Sequence, residues 1–273
     1  MTVRAAYERD GFVVLEGFMD AGACDALIAR AAELVQAFDP SIVSIFSTRD
    51  QVRHADDYFL GSGDQIRCFF EEEAFDAAGG LRQPKERSIN KIGHALHDLD
   101  PVFSQFSRDP RIAALTGTLG IERPLLLQSM YIFKQPFIGG EVVAHQDHTF
   151  LWTDPPSATG LWFALEDATI ENGCMWARPG GHREPPHRRF HRVAGGVGYE
   201  ILDPAELPTD AMIPLEAPKG TCIVLDGLLP HRSGPNRSPR SRQAYSLHVI
   251  DERAHYRTDN WLQRGPELPL RGF

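Results

Sequence analysis

From Pro124 onward the chain is written in short runs of β-branched, aromatic and aliphatic residues. They are Leu125–Phe133, Val142–Phe150, Gly160–Leu165, Cys174–Ala177, Gly220–Leu225 and Ala244–Ile250, each set off by Gly, Pro, Asn or Asp. Strands this short and this numerous must hide their edges by pairing, and the usual solution is a double-sheet jelly roll with an internal mouth between its sheets. The expected architecture is therefore mainly β with flanking α.

The first 120 residues read differently. Gly11–Gly17 reads as an early strand, and Asp20 then caps a helix with Leu27, Ile28, Ala31, Leu34, Val35 and Phe38 at helical spacing, expected on the outside of the β core. A second helix has Asp109 as its cap, Pro110 at its first position, Ile112, Leu115 and Leu119 on one face and Gly120 past its end. Between them, residues 41–100 mix charges, glycine and short apolar pieces, including Asp50–Asp57 and Glu71-Glu72-Glu73. They are expected to form loops and short helices, some over the mouth of the β core, with Lys91 in such a lid. The chain of 273 residues is long enough to bury a sizeable core. We read it as a single domain over 1–273, with a helical and lid region at 1–120, the jelly-roll core at 121–252 and a tail at 253–273.

The chemistry-bearing residues lie in the core region. His145 and Asp147 are separated by one residue, and His231 follows 84 positions after Asp147. Alternate residues of a strand point to one side, so an imidazole and a carboxylate at this spacing converge. Two histidines and one carboxylate suit one face of an octahedral iron, leaving the other face for substrate and oxygen. Alone, a His-x-Asp pair in a chain with 11 histidines and 37 acidic residues is a weak signal. After His231, Ser233-Gly234-Pro235-Asn236 should turn the chain, so that a hairpin brings Arg242 back toward His231. A planar guanidinium there could hold the far end of a dicarboxylate such as 2-oxoglutarate. Arg240 is the rival anchor.

At these residues the chain resembles the phytanoyl-CoA dioxygenase family of iron(II)/2-oxoglutarate oxygenases, whose pattern is His-x-Asp, a distal His and an Arg eleven residues later. The resemblance extends through Gln128–Pro136, Gly139–Val142, His145–Asp147, Glu166–Cys174, Arg240–Tyr245 and Asn260–Gln263. It implies a double-stranded β-helix, cupin-like core with N-terminal helices. It also implies iron(II) held by His145, Asp147 and His231, with 2-oxoglutarate as cosubstrate contacted by Arg242 and Ser233, and Lys91, Met130 and Trp162 lining the same pocket. The implied reaction consumes O2, releases succinate and carbon dioxide, and hydroxylates a small-molecule substrate. Related halogenases lack the carboxylate of the triad, so Asp147 favours hydroxylation. Two other readings remain open on the residues: a cupin-like protein that binds metal without turnover, and a metalloenzyme on the same barrel that does not use 2-oxoglutarate.

A net charge of -9 argues against nucleic acid as a partner, since phosphate contacts require clustered Lys and Arg. The one basic segment, His182–Arg192, is expected to be a solvated hairpin tip; the alternative is contact with an anionic group of the substrate, such as a carboxylate or a phosphate of an acyl-CoA. Phe150, Trp152 and Trp176 are candidates for an apolar substrate wall. Cys24, Cys68, Cys174 and Cys222 show neither metal-ligand spacing nor a dense disulfide framework and are expected to be reduced thiols. With no apolar leader and no membrane-length apolar run in the sequence, the expected location is cytoplasmic.

Overall fold

The computed structural model describes residues 2–49 and 55–273, so positions 50–54 of the charged piece at 50–57 lie outside the described residues. Strands are numbered β1 to β15 in chain order. The larger sheet is antiparallel, with the order β1 (Phe12–Leu15), β12 (Cys222–Asp226), β7 (Thr159–Ala164), β14 (Ala244–Asp251), β4 (Pro124–Ile132), β3 (Ile89–His94) and β2 (Ile66–Phe70). The smaller sheet has the order β11 (Ile213–Leu215), β8 (Met175–Ala177), β13 (His231–Ser233) and β5 (Val142–His145). Two ribbons complete the β structure, β9 (Arg188–Val193) with β10 (Gly196–Ile201), and β6 (Thr153–Asp154) with β15 (His255–Tyr256).

Period-two alternation sorts the larger sheet into an outer and an inner face. Leu161 and Phe163 of β7, Cys222 and Val224 of β12, and Tyr245, Leu247 and Val249 of β14 join one apolar cluster with Leu27, Ala31 and Val35 from the helix Ala21–Ala37. That helix starts where the sequence reading put it, with the Asp20 carboxylate accepting from the Ala23 backbone N–H at 2.8 Å. The helix Pro110–Thr118 is capped by Asp109 in the same way, and its Ile112 and Leu115 pack into the same cluster. The helices thus cover the outside. On the inner face, Trp162, Ala164, Ile223, Leu225 and Ala244 meet Met175, Ala177 and Leu215 of the smaller sheet. The two sheets therefore face one another, and the jelly-roll expectation holds.

Three expectations need correction. Residues 66–70 and 89–94 are strands of the larger sheet rather than loops and short helices, and Lys91 pairs with Phe69 and Ile132 within it, so it is not on a lid. The strand begun at Val142 ends at His145, where a 3-10 turn over Asp147–Thr149 replaces the expected extension to Phe150. His231 and Arg242 do not belong to one hairpin. β13 pairs with β5 and β8, whereas β14 pairs with β4 and β7, so the chain crosses from one sheet to the other between them. Among the described residues no helix is long and apolar enough to cross a membrane, and the four cysteines are buried and unpaired.

Candidate metal and cosubstrate site

His145 ends β5 and His231 begins β13, and the antiparallel register sets them directly opposite each other. Their ring centroids are 4.2 Å apart. Gln146 remains extended, so the alternation carries one residue past the strand and turns the Asp147 side chain to the same side. Asp147 Oδ1 lies 3.5 Å from His145 Nε2 and 3.7 Å from His231 Nε2, and the three donor atoms fall within 4.8 Å of one another. Among the described residues this is the one such group of three or more His, Cys, Asp or Glu side chains.

The hydrogen bonds around the imidazoles decide what they can do. His145 Nδ1 donates to the Val143 carbonyl at 2.9 Å, and His231 Nδ1 donates to the Leu229 carbonyl at 3.0 Å. Each proton is thereby fixed on the outer nitrogen, leaving both Nε2 lone pairs aimed at the shared point. Burial, with His145 alongside, pushes the His231 imidazole down to about 4, so it is neutral near pH 7, the form that ligates. Burial works to raise the Asp147 carboxyl, but His248 and His231 outweigh it and hold it well below the usual carboxylate range. The donor set is thus one carboxylate and two imidazoles whose Nε2 atoms face it, which fits a divalent iron.

His248, on β14, was not singled out in the sequence. Its Nε2 donates to Asp147 Oδ2 at 3.2 Å, which fixes the carboxylate's rotation and leaves Oδ1 toward the imidazoles. The contact exists because Gly160 is opposite His248 in the register, and a Cβ there would sit 3.2 Å from Asp147 Oδ2. A signal was present. Arg242, Ser246 and His248 share one strand parity, against Tyr245, Leu247 and Val249 on the other, and polar residues on a single parity mark a face turned to a cavity.

A cavity of about 150 Å³ opens at this point. His145, Asp147, His231, Lys91, Met130, Trp162, Ser233 and Arg242 all line it. Arg242 is fully desolvated, and burial pushes its guanidinium down to about 10, still protonated near neutrality. Its Nε donates to the Gly173 carbonyl at 3.2 Å and its plane approaches the Trp162 ring at 5.3 Å. One terminal nitrogen is buried without a partner among the described residues. A buried cation with an idle donor is costly unless an anion meets it, so the residues present fit a carboxylate ligand. Arg240, the rival, is exposed and pairs with Glu171 at 3.3 Å.

Ser233 is prepared for the same ligand. Its Oγ accepts from Lys134 Nζ at 2.9 Å, and Lys134 also donates to the Gly140 carbonyl at 2.7 Å. With its oxygen already accepting, the serine proton is free to be donated toward the cavity. Lys91 Nζ sits 3.3 Å from the centroid of Phe46 and 3.8 Å from Met130 Sδ, and burial lowers its ammonium well below the usual lysine range. Of the three aromatic candidates for a substrate wall, Phe150 lines the cavity. Trp152 stacks on His148, with ring centroids 4.2 Å apart, and Trp176 lies under Arg232.

Residues 7–244 match the family model described as phytanoyl-CoA dioxygenase (PhyH). A phytanoyl-CoA dioxygenase of Arabidopsis thaliana is 46% identical over 259 residues, covering 94% of this chain and 91% of that protein. Phytanoyl-CoA dioxygenase domain-containing protein 1 of Bos taurus is 44% identical over 275 residues, covering 97% and 94%. Among solved structures, the epimerase SnoN in complex with Fe3+, alpha ketoglutarate and nogalamycin RO superposes with a TM-score of 0.66 at 20% identity, over 97% of this chain and 89% of that one. EctD from S. alaskensis with 2-oxoglutarate and 5-hydroxyectoine gives a TM-score of 0.62 at 21% identity, over 97% and 87%. These two likenesses extend the agreement in fold across nearly the whole chain.

Proposed function

Since the chain belongs to the phytanoyl-CoA dioxygenase family, whose members are non-haem iron(II)/2-oxoglutarate dioxygenases, we propose that it hydroxylates a small organic substrate. Each hydroxyl group installed would consume one O2 and one 2-oxoglutarate and release succinate and carbon dioxide. We read residues 1–273 as one oxygenase domain, since the larger sheet draws its strands from both the first 120 residues and the remainder.

The observation that carries the reading is the pairing, in one cavity, of a three-donor cluster with a buried guanidinium whose terminal nitrogen lacks a partner. His145, Asp147 and His231 would hold iron(II). The bound metal supplies oxygen activation coupled to oxidative decarboxylation of the cosubstrate. Arg242 and Ser233 grip the far carboxylate, the guanidinium through its edge and the serine through its free proton, and so set the distance from that carboxylate to the metal. Trp162 and Met130 confine the cosubstrate chain, and Lys91, held among Phe46, Phe59 and Phe69, keeps a donor in the pocket. Phe150 and Leu151 exclude water from the metal's neighbourhood, which limits futile oxidation.

The test is succinate formation from 2-oxoglutarate by protein loaded anaerobically with iron(II) and then exposed to oxygen, without prime substrate. Slow turnover that disappears in Asp147→Ala, together with at least a ~100-fold loss of iron affinity, is expected, because losing a ligand should cost more than losing an outer partner. Iron bound with normal affinity but no 2-oxoglutarate binding by calorimetry would instead favour a metalloenzyme of another class.

A further inference from the structure

The charge balance of the cavity is opposite to that of the chain. The protein carries a net charge of -9, yet among the described residues Lys91, Arg188, Arg232 and Arg242 line the cavity against a single carboxylate, Asp147. On the proposed function, a divalent iron with Asp147 and Arg242 balances the two charges of 2-oxoglutarate. Lys91, whose charged form burial disfavours, is turned against the Phe46 ring. Arg188 and Arg232 are left over.

Both are free to bind. In the basic segment Arg183 donates to the Glu8 and Arg9 carbonyls, Arg189 pairs with Asp259, and Arg192 donates to the Leu60 and Trp261 carbonyls. The Arg188 side chain makes no hydrogen bond and no ion pair among the described residues; its guanidinium lies over the Tyr199 ring at 4.4 Å. Arg232 is likewise without a carboxylate partner there and lies over Trp176 at 5.3 Å. Stacking occupies the face of a guanidinium and leaves its N–H edge available for a planar or tetrahedral anion. A run of ring contacts then leads inward from Arg188: Tyr199 to Phe190 at 5.1 Å, Phe190 to Phe150 at 5.6 Å, and Phe150 to His145 at 5.9 Å. The expectation that the basic segment is a solvated tip is therefore corrected. Arg189 is buried, and Arg188 reaches the cavity.

We propose that the prime substrate is an amphipathic organic anion whose carboxylate or phosphate is held at Arg188, with Arg232 adding to the local positive field. Its apolar part lies along Phe150 and Leu151 toward the metal-binding cluster. This rests on the oxygenase reading for the reaction at the far end, while anion recognition itself does not.

The experiment is calorimetric titration of the anaerobic protein loaded with iron(II) and saturating 2-oxoglutarate, so that Arg242 is already engaged. Octanoate and octyl phosphate are compared with their neutral counterparts octanamide and octanol. At least one anion should bind about tenfold or more tightly than its neutral counterpart, and which one it is separates carboxylate from phosphate recognition. Arg188→Gln should reduce that preference to about threefold or less, whereas Arg240→Gln, a change of a surface ion pair, should keep it. If Arg188→Gln does not fold, Tyr199→Leu, which removes the supporting ring, decides the matter by the same criterion. Equal binding of anionic and neutral probes, or a full preference surviving in the variant that folds, overturns the proposal. Succinate formation by the wild type is read separately. Its absence would remove the oxygenase reading and leave the anion preference standing, and the converse result would do the reverse.

Discussion

The larger sheet contains strands of nine and eight residues, β4 and β14, and its outer face is sealed by helices. The smaller sheet, across the cavity, is made of strands of three or four residues, and none of the four in β5 is fully buried. Strands that short are marginal alone. Yet the smaller sheet supplies both imidazoles and Ser233, whereas the larger one carries Lys91, Met130, Trp162, His248 and, just ahead of β14, Arg242. Converging two metal ligands needs one correct rung between two strands. Apart from Ser233, the rest of the proposed cosubstrate pocket is lined by side chains from several neighbouring strands of the larger sheet, which a longer and better-buried backbone keeps in place. The division of labour between the sheets follows from that difference.

It can be broken first through packing. Leu247→Ala removes a fully buried side chain from the outer face of the larger sheet and should cost about 3 to 5 kcal/mol of stability. Val142→Ala in half-buried β5 should cost about 1 kcal/mol or less. Equal losses in denaturant titrations would mean that the two sheets share the load. Arg242→Ala comes next. Removing one partner of a desolvated charge pair should weaken 2-oxoglutarate by roughly 2 to 5 kcal/mol, read as a rise in its KM. Arg240→Ala should leave KM nearly unchanged, and a comparable rise there would move the anchor to the surface.

Acid provides the most graded test. His94 and His97 lie on the side of the larger sheet, where burial, the largest influence on each, lowers both imidazoles. Asp98, 3.2 Å from His97 Nε2, works against this, but burial outweighs it. His97 Nε2 accepts from Arg264 at 2.9 Å, and Ser62, whose hydroxyl is donated to the Phe59 carbonyl, accepts from His94 Nδ1 at 2.7 Å. Because the folded values lie below the unfolded value near 6.5, their contribution is complete above that pH. It is lost as pH falls toward the folded values, at about 1.4 kcal/mol per pH unit for each group. Metal-free protein whose melting temperature is flat between pH 7 and 5 would show that these rings are not held neutral.

What the sequence made legible follows the same physical lines. His145 and Asp147 stood out because strand periodicity relates them, and His231 and Arg242 because their spacing matches the family pattern. The end of β5 did not, because the turn at Asp147–Thr149 contains neither glycine nor proline to announce it. β3 was missed because Asn90 and Lys91, which line the cavity, make a buried strand look solvated. Arg189 looked solvated too, since its partner Asp259 is 70 residues away, and no local pattern reports such a pairing. The crossing between β13 and β14 was hidden for a similar reason: a turn sequence shows that the chain reverses and does not show which sheet it enters.

The rung that sets His145 against His231 has a consequence for the life of the protein as well as for its chemistry. On the proposed function, an ion seated there would be a clasp on the smaller sheet, joining two strands whose own hydrogen bonds are few. Loading the centre and zipping the sheet would then become one equilibrium. A cell short of iron would hold an enzyme that is idle and also partly unfastened on one side, with the amides of β5 and β13 open to exchange and to proteases while the larger sheet stays shut.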